Sequence, residues 1–330
     1  MKNIAIVAGG DSSEYEVSLK SAEGLYGFID KDRYNLYIVV LRKDEWTVKM
    51  PDGSTPDIDK NDFSFLLDGK KIIFDYAYIT IHGRPGEDGR LQGYFDMLNI
   101  PYSSCGVLAG ALTFNKFINN QFLKSQGIRV PESIFLKEGQ EIATTDIINK
   151  LGLPVFVKPN EGGSSFGVTK VKEASQVQSA ILKALKEGGD VIIEQFIEGM
   201  EVTCGCYKIE SKQVIFPITE VVTDNDFFDF DAKYNGEVQE ITPARISGEL
   251  TEKIQHVTSQ IYDIINAQGI IRIDYIIPVD NNPVLLDVNT NPGMTTTSFI
   301  PQQILAAGLD IKDVMSEIIE SGFCKKMLNA

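Results

Sequence analysis

The sequence predicts a mixed α/β protein of two or three domains, and three observations carry that expectation. Its 330 residues are more than a single hydrophobic core ordinarily serves. It opens on a strand, loop and helix pattern: the apolar run Ile4 to Ala8, then Gly9 to Glu14, then helical spacing from Val17 to Ile29. Near its end, two extended runs, Ile270 to Ile277 and Val284 to Asn289, flank the turn-forming stretch Val279 to Pro283 and can pair as a hairpin.

Between these ends the elements follow in order. Tyr34 to Leu41 and Ile72 to Ile81 read as strands, separated by irregular surface structure over Asp44 to Asp68, where Pro51, Pro56 and many polar residues break any period. The first domain closes near residue 103. Leu112 to Gln126 reads as a helix stopped by Gly127 and Pro131. Leu153 to Lys158 reads as a strand that leads into a glycine and serine loop and then a helix, Ala174 to Lys186, which makes residues 104–190 a second, small domain. Val191 to Phe196, Met200 to Tyr207 and Gln213 to Val222 are expected as strands of a third unit, 191–330. That unit continues through a long polar segment, 223–247, a helix from Leu250 to Ile265, and the hairpin.

Hydrophobic residues at 43% and charged residues at 23% fit an ordinary folded, soluble protein. A net charge of −15 argues against a nucleic-acid partner or an anionic membrane surface, since either needs a basic face. Cys105, Cys204, Cys206 and Cys324 lack CxxC spacing and read as buried thiols. The apolar start is too short for a signal peptide and no run reaches the ~18 residues of a membrane span, so a cytoplasmic location is expected.

Four segments could carry chemistry. Alternate residues of a strand share a face, so Arg272 lies beside Asp274, and Asp287 beside Asn289, among isoleucines and leucines. Carboxylates in such surroundings need a compensating cation, and oxygen donors of this kind suit Mg2+ shared with substrate phosphates. An internal ion pair of Arg272 with Asp274 or Asp287 is the alternative. The loop Pro159 to Gly167 follows Lys158 and offers backbone N–H groups and hydroxyls for phosphate, or is a flexible hairpin tip. The segment Ile81 to Gly93 places Glu87 and Asp88 in the first turn of a helix, as an anion site or as favourable helix-end charges; His82 there reads equally as a buried, hydrogen-bonded histidine. Aromatic residues around Lys233 and Tyr234 turn the long polar segment into a candidate lid.

Taken together, these segments resemble the D-alanine–D-alanine ligases of the ATP-grasp superfamily, from about Asn3 to Ile319. The matching residues are Gly9, Gly10, Ser12, Glu14, Glu16, Val17 and Ser18; His82, Gly83, Gly86 to Gly89, Gln92 and Gly93; Lys158, Pro159, Gly163 to Ser165 and Gly167; Asp231 to Tyr234; and Asn289, Thr290, Pro292 to Thr295 and Ser298. The resemblance implies three domains: an N-terminal parallel-sheet domain and two antiparallel-sheet domains that enclose ATP. It implies joining of two D-alanines with one ATP, through an acyl phosphate made by the first substrate's carboxylate and broken by the second's amine. ATP and Mg2+, which Mn2+ can replace, are the implied cofactors, and a homodimer the implied assembly.

The resemblance also implies roles. Lys116, Lys158 and Lys233 would face the phosphates, with Ser165 in the phosphate loop; Asp274, Asp287 and Asn289 would hold Mg2+. Glu194 and Glu201 would contact adenine hinge and ribose. Glu14 would hold the first ammonium and His82 lie near its carboxylate, while Arg272 and the Gly293 backbone would stabilise the tetrahedral oxyanion. Ser298 would bind the second carboxylate, and Ser164, Tyr234 and Glu14 would tie lid to substrate loop. Tyr234 favours an amine over a hydroxyl nucleophile, hence a peptide bond. This chain has Asp287 where the family has glutamate, shorter by roughly 1.5 Å, and Asn120 in place of a second lysine. A ligase for another small acid, or a silent nucleotide-binding relative, are the alternatives; Glu14, Lys233, Tyr234, Arg272 and Ser298 argue against the latter.

Overall fold

The computed structural model describes residues 1–163, 166–223 and 238–329. In chain order the first part runs β1 (Lys2–Gly9), α1 (Tyr15–Phe28), β2 (Tyr34–Arg42), β3 (Glu45–Lys49), β4 (Ser64–Leu67), β5 (Lys70–Ile73), β6 (Tyr76–Ile79) and α2 (Arg90–Met97). The apolar runs of β1 and β6 are buried on both faces, and β1 pairs in parallel with β2 and β6, giving the order β3-β2-β1-β6. Two sequence expectations change here. Ile72 to Ile81 is two strands, because the chain turns at Phe74 and Asp75 to let β5 form a hairpin with β4. The stretch 44–68 is also not wholly irregular: β3 pairs with β2, and Phe63 and Phe65 anchor the segment in the core.

The middle comprises α3 (Val107–Phe114), α4 (Lys116–Ser125), β7 (Ser133–Leu136), α5 (Thr144–Leu151), β8 (Val155–Pro159), β9 (Thr169–Val171), α6 (Val177–Gly188) and β10 (Val191–Gln195). The single helix expected over 112–126 is divided at Asn115, whose extended backbone and side-chain oxygen cap α4 through Ile118 N. The antiparallel sheet has the order β7-β10-β8-β9. Because β10 pairs with β7 and β8, the segment 191–195 belongs to this sheet and not to the third unit, as a boundary after 190 required.

The last part holds β11 (Met200–Ile209), β12 (Lys212–Ile215), β13 (Thr219–Thr223), β14 (Val238–Ile241), α7 (Gly248–Ile264), β15 (Ile271–Ile277), β16 (Val284–Asn289), α8 (Phe299–Ala306) and α9 (Ile311–Asn329). Gln213 to Val222 is two strands, β12 and β13, both paired with β11. The antiparallel sheet runs β14-β13-β11-β15-β16 with β12 beside β11. Its β15–β16 hairpin has the expected partners.

A shared core fixes how the parts meet: Ile4, Ile6 and Leu25 of the first unit pack with Tyr207, Met294, Ile300, Met315 and Ile319 of the last. Gly24 of α1 permits this approach, since a Cβ there would lie 2.1 Å from the Met294 carbonyl oxygen. Cys105, Cys204 and Cys206 are buried, whereas Cys324 is exposed, contrary to the expectation for all four. Among the described residues no helix is long and apolar enough to cross a membrane.

Candidate active site

A cavity of about 670 Å³ opens where the three units meet. The first unit contributes Glu14, at the start of α1, and His82, in the loop after β6; the middle unit contributes Lys116, Lys158 and Glu194. The last contributes Glu201, Arg272, Asp274, Asp287, Asn289, Gly293 and Ser298. Every described residue to which the resemblance gives a role therefore lines one space, whereas Asp88, offered with Glu87 as an anion site, does not. Ser164, Ser165, Lys233 and Tyr234 lie outside the described residues.

The hairpin builds the charged wall. Its register sets Arg272 opposite Asn289 and Asp274 opposite Asp287, which places all four on neighbouring strands. The Arg272 guanidinium donates from Nε and Nη2 to the two Asp274 oxygens at 2.9 and 2.8 Å, and lies 5.3 Å from the Phe299 ring centre. Thr203 Oγ1 on β11 donates to Asp274 at 2.6 Å. Of the two ion pairs the sequence allowed, Arg272 makes the one with Asp274; Asp287 instead meets Lys116 Nζ at 2.9 Å, from the first turn of α4. Burial would lower the Lys116 pKa, but Asp287, Glu87 and Glu194 outweigh it and hold the ammonium above its ordinary value.

These donors fit Mg2+. Asn289 Oδ1 is buried without a hydrogen-bond partner, and beside it stand two carboxylates of the hard oxygen class that Mg2+ takes. Asp287→Glu, the residue the resemblance implies at this position, keeps the charge facing Lys116, so Mg2+-dependent ADP formation is expected to persist or rise when titrated with Mg2+. Its abolition would mean that the shorter side chain is required.

The middle unit presents its lysines from a braced frame. Lys158 Nζ pairs with Glu194 at 2.6 Å, and Glu194 also accepts from Asn120 Nδ2 at 2.9 Å. Asn120 thus helps satisfy a carboxylate that is 3% exposed. Asn160 joins the glycine loop to α4: its carbonyl accepts from Lys116 N and its side chain from Phe117 N.

The first unit adds the groups opposite. Gly163 lets the glycine loop pass over Glu14, since a Cβ there would fall 2.6 Å from Glu14 Oε2. His82 is buried, which depresses its pKa; Glu14 pushes it up and Arg272 down, leaving a neutral imidazole at pH 7. The expected helix start at Glu87 is not found: Gly89 takes a left-handed conformation and α2 begins at Arg90. Glu87 folds back instead, accepting from Gly83 N at 2.7 Å. Burial, then Glu14, raises its pKa to about 8.

That shift has a stability consequence. A carboxyl whose folded pKa lies above its unfolded value stabilises the fold fully below the unfolded pKa, and the contribution is lost as pH rises through the folded one. Melting temperature is therefore expected to fall between about pH 4.5 and about pH 8, and Glu87→Gln to flatten that slope. An unchanged slope would show that Glu87 ionises freely.

Ser298 precedes α8; its Oγ accepts from Thr295 N at 3.0 Å and contacts Thr295 Oγ1 at 2.8 Å. Sequence reasoning missed Thr203, whose place beside Asp274 follows only from strand register, and Glu240 on β14, which lines the same cavity. Alternation along the strand was the available signal for Glu240, obscured by the polar segment around it.

Two family models match: D-ala D-ala ligase N-terminus over residues 3–105 and D-ala D-ala ligase C-terminus over 122–320. The chain is 67% identical over 319 residues to a D-alanine–D-alanine ligase of Parabacteroides distasonis, covering 97% of each. It is 63% identical over 322 residues to one of Bacteroides fragilis, covering 98% of this chain and 99% of that one. Among solved structures, the VanG D-Ala:D-Ser ligase of Enterococcus faecalis superposes with a TM-score of 0.85 at 30% identity, covering 97% of this chain and 99% of that one. The ATP complex of the Bacillus anthracis D-alanine–D-alanine ligase superposes with a TM-score of 0.79 at 27% identity over 100% of both chains. The fold is ATP-grasp, and the chain belongs to the D-alanine–D-alanine ligase family.

Proposed function

We propose that this enzyme joins two D-alanine molecules into D-alanyl-D-alanine, consuming ATP and releasing ADP and phosphate, in supply of peptidoglycan precursors. The observation that carries the reading is the convergence of Arg272, Asp274, Asp287 and Asn289 with Lys116 and Lys158 across one cavity that Glu14 and Ser298 also line.

Phosphoryl transfer asks the protein for alignment and charge neutralisation more than for covalent help. Lys116 and Lys158 are placed to meet phosphate oxygens once their carboxylate partners are engaged elsewhere, and Lys233 and Ser165 are assigned to the same task. Asp274, Asp287 and Asn289 would hold Mg2+, whose contribution is to neutralise phosphate charge. Glu194 and Glu201 take the adenine hinge and the ribose.

Glu14 holds the ammonium of the first D-alanine, and neutral His82 lies by its carboxylate without adding charge. That carboxylate attacks the γ-phosphorus of ATP; the amine of the second D-alanine then attacks the resulting acyl carbonyl. Arg272, kept planar and aimed by Asp274 and Phe299, stabilises the oxyanion together with the Gly293 N–H. Ser298 binds the second carboxylate, and Ser164 and Tyr234 are assigned to a hydrogen-bonded set with Glu14.

The VanG likeness supports a second reading in which the acceptor is D-serine. Enzyme with ATP, Mg2+ and D-alanine alone, then with D-serine added, separates them by mass spectrometry of the products. D-Alanyl-D-alanine as the main product in both mixtures supports the proposal; a mixed dipeptide dominating at equal acceptor concentrations would replace it.

A further inference from the structure

An α-amino acid acceptor presents a carboxylate and an ammonium, and the ammonium must lose a proton before its nitrogen can attack. The roles above supply Ser298 for the carboxylate and nothing for the ammonium. Glu240 lines the same cavity as Ser298, and Gln302 joins it to the residue before Ser298.

Strand register pairs Glu240 with Val221, and Val221 with Glu201, so the three share the sheet face that lines the cavity. Glu240 is fixed there: its Oε2 accepts from Gln302 Nε2 at 2.6 Å, and the same nitrogen donates to the Thr297 carbonyl at 2.8 Å, one residue before Ser298. A single amide on α8 thus sets the distance between an acid and the hydroxyl proposed for the acceptor's other end. From the geometry we propose that Glu240 receives the ammonium of the second amino acid and takes its first proton.

The step balances. The ammonium passes one proton to the Glu240 carboxylate, leaving a neutral amine and a carboxylic acid. The nitrogen lone pair forms the C–N bond at the acyl carbonyl, the C–O bond to phosphate breaks, and the phosphate departs with that electron pair and the second proton. Burial raises the pKa of Glu240, which makes it a stronger proton acceptor, while Gln302 and Arg272 on β15 oppose the shift. Other charged groups lining the cavity include Glu201, Asp274 held by Arg272, Asp287 held by Lys116, and Glu220, which Arg245 holds.

The inference rests on the ligase reading, and hydroxylamine separates the two. It is neutral at pH 7 and captures an acyl phosphate without needing a base, giving D-alanyl hydroxamate. With Glu240→Gln in the full chain, dipeptide formation at pH 7 is expected to fall by about 10²-fold, with a raised KM for the second D-alanine and recovery toward pH 9, while hydroxamate formation stays at the wild-type rate. Glu240→Asp is expected to regain part of the loss. Equal loss of dipeptide and hydroxamate, or a wild-type pH profile and KM, would overturn the role. If Glu240→Gln does not fold, Gln302→Leu, which keeps the acid but removes its anchor, should raise the same KM, and an unchanged KM would count against it. Wild-type enzyme that forms neither product would refute the ligase reading itself.

Discussion

Arg272→Lys is expected to lower kcat for dipeptide formation by about 10²-fold or more, with the melting temperature close to wild type. Arg272 meets both Asp274 oxygens through a planar fork, and its face lies against Phe299. A lysine ammonium keeps the charge but offers neither the two parallel donors nor the stacking plane, so it cannot be aimed at a developing oxyanion in the same way. Steady-state kinetics beside thermal unfolding checks this. Wild-type turnover in the variant would remove Arg272 from the reaction, whereas equal loss of stability and rate would make it a structural residue.

Asp274→Asn is expected to be comparably severe, lowering turnover by roughly 10²–10³ and moving Mg2+ activation to higher concentration. The substitution removes one proposed metal donor charge and also one of the two anionic oxygens that orient Arg272, while Thr203 still finds an acceptor. The two losses act on one step and so need not add. Activity measured across a Mg2+ series distinguishes them: a lowered plateau reports Arg272, and a shifted midpoint reports the metal. An unaltered curve would place the metal elsewhere.

Much of the site was legible because its residues sit on regular elements. Arg272, Asp274, Asp287 and Asn289 obey the two-residue alternation of a hairpin, and the structure keeps that register. The opening strand and helix were equally plain, since Ile4 to Ala8 is apolar throughout and the helix that follows is periodic. What failed were breaks decided by single residues or by tertiary pairing. Asn115 divides a helix by capping its second half, an arrangement that apolar periodicity does not register. Gly89 delays α2 and so frees Glu87 to fold back onto Gly83, and β10 joins the middle sheet because of pairings across more than thirty residues. Partner choice was also hidden: Asp287 could be seen to need a cation, but its meeting with Lys116 spans 171 residues and depends on how two units close.

The central claim is that a D-alanine carboxylate is activated by phosphoryl transfer inside the cavity built on the β15–β16 hairpin. The direct measurement uses D-alanine labelled with 18O in both carboxylate oxygens, with ATP and Mg2+, followed by mass analysis of the phosphate released. Passage through an acyl phosphate delivers one labelled oxygen to phosphate for each dipeptide formed. Unlabelled phosphate accompanying dipeptide, or phosphate released without D-alanine, would contradict the account.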